Sequence, residues 1–169
     1  MLKAKLTICC RLLLVADVVD VAGVADVEAS VLEPQEDYQE RFLKCPSGWE
    51  QYKGSCYLYM SSPTSWIHAE TNCYIQGASL ASAHDDFDYT FLQSLTSRGN
   101  SLTAWVGGYF LQGWRWVDQS RFNYNNWYSQ TNPANDPCVH LWSESNRGWS
   151  NSNCNIARPF ICVRNFEEC

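Results

Sequence analysis

The chain has 169 residues, a formal net charge of −6, 46% hydrophobic residues and 14% aromatic ones. That length suits one domain with a tail, and the apolar share is ample for a packed core. Residues 1–44 carry eight acids and five bases and residues 45–169 ten acids and seven bases; neither part offers the basic face that nucleic acid requires.

The first segment reads as a signal peptide over residues 1–25. Lys3 and Lys5 supply a positive start, and the run from Leu6 to Ala16 supplies a short apolar core broken by Arg11. A short amphipathic anchor is the alternative. No run reaches the ~18 uncharged apolar residues that a membrane-spanning helix needs. Residues 26–44 follow as a charged tail, and residues 45–169 as the domain proper.

Nine cysteines are present, and Cys9 and Cys10 fall in the signal. Seven remain, with no C-x-x-C pair and no histidine at zinc-finger spacing, so a disulfide framework in a secreted chain is the expectation. Six paired cysteines allow 15 connectivities, and spacing does not choose among them. One cysteine is left over. Cys169 is the candidate for a disulfide between two chains, with a free or capped thiol as the other reading.

Cys45 to Tyr57 reads as a turn-rich hairpin entering a strand at Tyr57–Tyr59. Ser65 to Tyr74 has helical spacing, with Trp66, Ala69 and Cys73 on one stripe and Gly77 as the stop. A second helix is predicted to begin near Ser82–Asp86, with Ser82 and Asp85 at capping-box spacing and Phe87, Thr90, Phe91, Ser94 and Leu95 as its apolar face. Short strand signals follow at 104–108, 114–117, 139–142 and 160–163. Between them lies a long loop rich in Asn, Ser and Trp. Two helices and many short strands predict an α+β domain.

The set C-P-S-G-W (45–49), G-S-C-Y (54–57), W-x-x-A-E-x-x-C (66–73), W-V-G-G (105–108), W-R-W-V-D (114–118), C-V (138–139), G-W-S-N (148–151) and F-I-C (160–162) resembles the C-type lectin-like domain. The resemblance spans residues 45–162 and is strongest to small secreted fish lectins and to type II antifreeze proteins. It implies two helices plus two small antiparallel sheets, a long loop region, and disulfides Cys45–Cys56, Cys73–Cys162 and Cys138–Cys154.

In the calcium-dependent members of that family a calcium ion held by an E-P-N or Q-P-D triplet, a later glutamate and a W-N-D step binds the sugar. Calcium wants six to eight oxygens, several of them charged. Here the triplet reads Asn132-Pro133-Ala134, and W-N-D has become Trp149-Ser150-Asn151. Asp136 is the one carboxylate left in the loop, with Glu144 beyond Cys138. No cofactor is therefore expected, with a very weak calcium site as the alternative, since the usual calcium ligands are largely missing.

Sugar can still be held by amides, carboxylates and an indole face. The candidates are Asn132, Asn135, Asp136, Asn151 and Asn153 as polar partners and Trp142 for stacking. Trp142 could equally pack under the loop. Trp105, Trp114, Trp116, Trp127 and Trp149 read as core. No catalytic residue is expected: His68, His84 and His140 stand in no recognisable nucleophile motif. The resulting expectation is a secreted lectin for galactosides or microbial glycans, active in innate defence and independent of calcium. An ice-binding or protein-binding module is the alternative.

Overall fold

A computed structural model describes residues 44–165. The predicted signal peptide, the tail up to residue 43 and Cys169 lie outside the described residues.

The hairpin is formed by β1 (Glu50–Tyr52) and β2 (Ser55–Thr64). Helix α1 (Trp66–Ile75) follows and buries Trp66, Ala69 and Cys73, the stripe that its spacing predicts. Gly77 ends it at φ +67, a left-handed conformation that glycine adopts without a Cβ penalty.

After β3 (Ser79–Leu80) comes α2 (Asp86–Arg98), which departs from expectation twice. Its N-cap is Asp85, whose Oδ1 accepts from the Asp88 amide at 2.7 Å. Ser82 caps nothing; its hydroxyl donates to Asp118 instead. The buried face is Tyr89, Leu92, Gln93, Leu95 and Thr96, so of the predicted apolar stripe only Leu95 is buried. Phe87 is 74% exposed. The helix is turned by the hydrogen bonds its buried side must make. Gln93 Nε2 reaches the carbonyls of Trp142, Glu144 and Arg147 at 2.8–2.9 Å, and a buried carbonyl without a donor costs more than an exposed phenyl ring.

The remaining strands are β4 (Thr103–Phe110), β5 (Trp114–Trp116), β6 (Trp127–Ser129), β7 (Cys138–Trp142), β8 (Trp149–Ser152) and β9 (Arg158–Asn165). Two antiparallel groups are present, as the family resemblance implies. One is β1, β2, β9 and β3; the other is β4, β5, β7 and β8. They join into a single mixed sheet through one parallel pair, Trp105↔Phe160, between β4 and β9. The Asn- and Ser-rich stretch expected as loop supplies β6 and β8, which pair in parallel at Trp127↔Trp149.

Three disulfides staple these layers: Cys45–Cys56, Cys73–Cys162 and Cys138–Cys154. The second ties α1 to β9 across 89 residues. Trp105, Trp116 and Trp149 are fully buried, while Trp114 and Trp127 pack at the edge of the core. Two of the indole N–H groups are matched by carbonyls, Trp66 donating to Val106 at 2.8 Å and Trp105 to Thr64 at 3.0 Å, whereas the buried Trp149 Nε1 has no hydrogen-bond partner.

Candidate functional site

Strand β8 lies between β6 and β7 and so sits at the root of the loop that connects them. Asn151 on β8 opposes Val139, and its side chain is 95% buried beneath that loop. Its Oδ1 accepts from the Thr131 amide at 2.8 Å. Its Nδ2 donates to the carbonyls of Thr131 at 3.2 Å and Asp136 at 2.7 Å. One amide therefore clasps both ends of the loop.

Within the clasp the loop closes on itself. The Asn132 carbonyl accepts from the amides of Asn135 and Asp136, both at 3.1 Å. Asn132 Oδ1 accepts from Ala134 N at 3.0 Å, the Asx geometry that favours a turn at Asn-Pro. Thr131 donates its hydroxyl to Asp136 Oδ2 at 2.7 Å. Asn132 and Asn135 are exposed at its tip, and Asp136 is half-buried.

The structure thus brings Asn132, Asp136 and Asn151 into one hydrogen-bonded unit, with Asn135 on the same turn. Asn153 lies past the end of β8 and its Oδ1 accepts from Asn155 N at 2.9 Å. Trp142 stands at the opposite end of β7 from the loop, half-buried. Its indole N–H donates to Ser150 Oγ at 2.9 Å, and Ser150 Oγ meets Ser129 Oγ at 2.8 Å. The guanidinium of Arg147 covers its ring at 4.7 Å and that of Tyr128 at 4.9 Å, while Arg147 Nε pairs with Glu144 Oε2 at 2.6 Å.

Tyr128, Ser129, Thr131, Arg147 and Ser150 were not among the predicted site residues. The alternation along Trp127-Tyr128-Ser129, apolar core then exposed ring, is the one sequence signal that marks Tyr128.

His140 and Trp142 share a face of β7 as alternation requires, but His140 is buried as fully as its neighbours. It lies edge-on to Trp105 at 5.9 Å and Trp142 at 5.6 Å. Burial, with help from nearby Arg158, pushes its pKa down to about 3, so the ring is neutral. Elsewhere, Ser82 sits between Asp118 Oδ2 at 2.5 Å and His84 Nε2 at 3.1 Å. Its proton goes to the carboxylate, which leaves the imidazole no hydroxyl proton to accept. That order is the reverse of a nucleophile activated by a base.

The oxygens around the loop do not fit a calcium ion. Asp136 is the one carboxylate there, and one of its oxygens already takes the Thr131 hydroxyl. The Asn132 and Asn151 side-chain oxygens face backbone amides, and Glu144 is matched by Arg147. Among the described residues no three His, Cys, Asp or Glu side chains converge.

Residues 62–164 match the Lectin C-type domain. The chain belongs to that family. Among curated relatives, this C-type lectin domain protein is 35% identical over 126 residues to ladderlectin of Oncorhynchus mykiss, a match covering 69% of this chain and 65% of ladderlectin. It is 30% identical to the galactose-specific lectin nattectin of Thalassophryne nattereri, over 72% of this chain and 80% of nattectin. Among solved structures, the calcium-free form of a Ca2+-dependent type II antifreeze protein superimposes with a TM-score of 0.66 at 28% identity. That match covers 72% of this chain and all of the other. The match spans just under two thirds of ladderlectin's own length. Among the described residues no helix is long and apolar enough to cross a membrane.

Proposed function

We propose that this domain is a secreted lectin that binds galactosides or microbial glycans without calcium and without catalysis, through the loop clasped by Asn151. The observation that carries the reading is the commitment of the loop's inner oxygens to the protein itself. The fold is of a carbohydrate-binding family, but the loop is held shut by an amide where that family's mechanism would place a metal. Recognition then falls to the outer polar edge: the Asn132 amide nitrogen, Asn135, the second oxygen of Asp136, and Asn153 on the neighbouring turn. Trp142 joins only when Arg147 withdraws from its face.

Three formed disulfides suit an oxidising compartment and hence secretion. Pairing of Cys169 between two chains would link two weak sites and raise avidity. A non-reducing gel should then show a doubled mass that collapses with reductant and is absent from Cys169→Ser.

The decisive experiment is a glycan array run with calcium and with a chelator. Equal retention on galactosides in both arms supports the proposal, as does agglutination blocked by lactose and indifferent to chelation. Loss of all retention under chelation sinks the calcium-independent reading, and absence of retention on any glycan sinks the lectin reading. The antifreeze likeness favours one second reading, ice binding. Thermal hysteresis of the purified protein would decide for it.

A further inference from the structure

Away from that loop, a cleft of about 310 Å³ opens between α2, the segment carrying Tyr124 and Asn126, and the turn 145–148 that leads into β8. We propose that this cleft is a second binding site, separate from the loop, which takes a single neutral sugar ring. The proposal does not rest on the loop reading.

The size sets the first limit. Small-ligand pockets run from about 300 to 1,000 Å³, so this one holds a single ring rather than an extended chain. The lining sets the second. No aliphatic side chain lines the cleft; its walls are Asp86 and Thr90 on α2, Tyr124 and Asn126 opposite, and Ser145 and Asn146 on the turn. An apolar or drug-like ligand would bury no partner there. A ligand covered in hydroxyls finds a carboxylate, two amides, two hydroxyls and a phenol ring, the mixture that suits vicinal hydroxyls on one side and a C–H face on the other.

The cleft is held in shape by an exposed bridge across its mouth and by two buried side chains beneath it, Gln93 and Tyr89. The Tyr124 hydroxyl donates to Asp86 Oδ1, which bridges two of the walls. Gln93, 92% buried, holds the turn from below through the carbonyls of Glu144 and Arg147, and the Tyr89 hydroxyl donates to the latter at 3.2 Å. Gly148 lies so close to Asn126 that a Cβ there would stand 1.8 Å from the Asn126 carbonyl oxygen. That carbonyl accepts from Trp149 N at 2.9 Å. A buried glutamine and an obligatory glycine thus hold a polar turn against a helix, an arrangement that hydrophobic packing alone does not require.

Against this rigid frame several side-chain groups are left without a protein partner among the described residues: the second oxygen of Asp86, the Asn126 amide, and the side chains of Ser145 and Asn146. They offer both donors and acceptors. The charges decide between neutral and acidic rings. Arg147 is matched by Glu144, so a ring bearing a carboxylate would meet Asp86 with no free cation to offset it.

The test is a ¹⁵N NMR titration of the intact protein with galactose, glucose, mannose and N-acetylglucosamine. The expected result is saturable shifts of the Thr90, Asn126, Ser145 and Asn146 amides with at least one of them. Asn146→Ala, a change on an exposed turn, should weaken those shifts' apparent affinity about five- to tenfold, the size of one lost hydrogen bond to a polar ligand. Asp86→Asn, which keeps an acceptor, should weaken it less. Shifts confined to 131–136 overturn the cleft and uphold the loop; shifts confined to the cleft do the opposite. No saturable shift with any of the four sugars, or an Asn146→Ala variant of unchanged affinity, also overturns the cleft assignment.

Discussion

The guanidinium of Arg147 lies 4.7 Å from the centre of the Trp142 ring, so the indole face expected to stack on sugar is already covered by a cation from the same chain. Arg147 also begins a continuous chain of ring contacts. From it the contacts run through Trp142, His140 at 5.6 Å and Trp105 at a further 5.9 Å, to the guanidinium of Arg158 at 5.1 Å. A neutral imidazole in the middle of two indoles, with a cation at each end, is electrostatically self-consistent: ring faces attract the cations, and a third positive charge on His140 would be repelled.

Replacing Arg147 with alanine removes two exposed cation–π contacts, each of roughly 0.5–1 kcal/mol, and a surface ion pair of little net value. Stability should fall by about 1–2 kcal/mol in urea denaturation. Trp142 is then uncovered, and lactose affinity measured by calorimetry should rise severalfold. A drop in affinity would show that Arg147 itself touches the sugar.

Asn151→Ala should be the most damaging single change at the loop. Three part-buried hydrogen bonds disappear, and two carbonyls and one amide lose their donor or acceptor. At about 1 kcal/mol each, the loss is roughly 2–4 kcal/mol. Hydrogen exchange should show residues 131–136 opening well before the core strands. Protection unchanged in that loop would mean that the clasp is not what holds it.

His140 makes stability depend on acidity. Its folded pKa of about 3 lies below the ordinary value of 6.5, so the unfolded chain takes up a proton that the folded chain refuses. Stability attributable to this group is full above pH 6.5 and falls as pH drops from there toward 3. The loss reaches about 3 kcal/mol by pH 4. Relative to wild type, His140→Gln should flatten the urea midpoint between pH 6.5 and 4. Parallel profiles for the two proteins would exclude the residue as the source.

The disulfides should rank by the loops they close. Chain entropy assigns about 4.6 kcal/mol to Cys73–Cys162, whose partners are 89 positions apart, and about 3 kcal/mol to Cys45–Cys56, whose partners are 11 apart. Paired Cys→Ser replacements compared by thermal unfolding should reproduce that order; equal losses would point to native-state contacts rather than loop closure.

Much of this fold was legible in the chain itself. The Trp66–Ala69–Cys73 stripe, the Gly77 stop and the apolar strands around Trp105, Val139 and Ile161 are local patterns, and local patterns survive folding when they bury what they advertise. The order of the motifs carried the disulfide pairing and the family. The polar strand at Trp149–Ser152 was not legible, because its β pairing is decided by neighbours on both sides and its Ser and Asn side chains read as loop. The face of α2 was missed for a related reason: Gln93 is turned inward because three distant carbonyls, of Trp142 at the end of β7 and of Glu144 and Arg147 beyond it, need its amide, a demand that no spacing within the helix records.

The same division holds at the site. The residue types alone show that the loop carries a single carboxylate, Asp136, since the stock of ligand groups is a property of the side chains present. Only the tertiary structure decided which of those amides are spent. Asn151 is consumed as a clasp, Asn132 and Asn135 remain at the surface, and Trp142 is roofed by Arg147. Hydrogen-bond partners and ring contacts come from residues brought together across the sheet, and burial assigns each polar group either to the frame or to solvent.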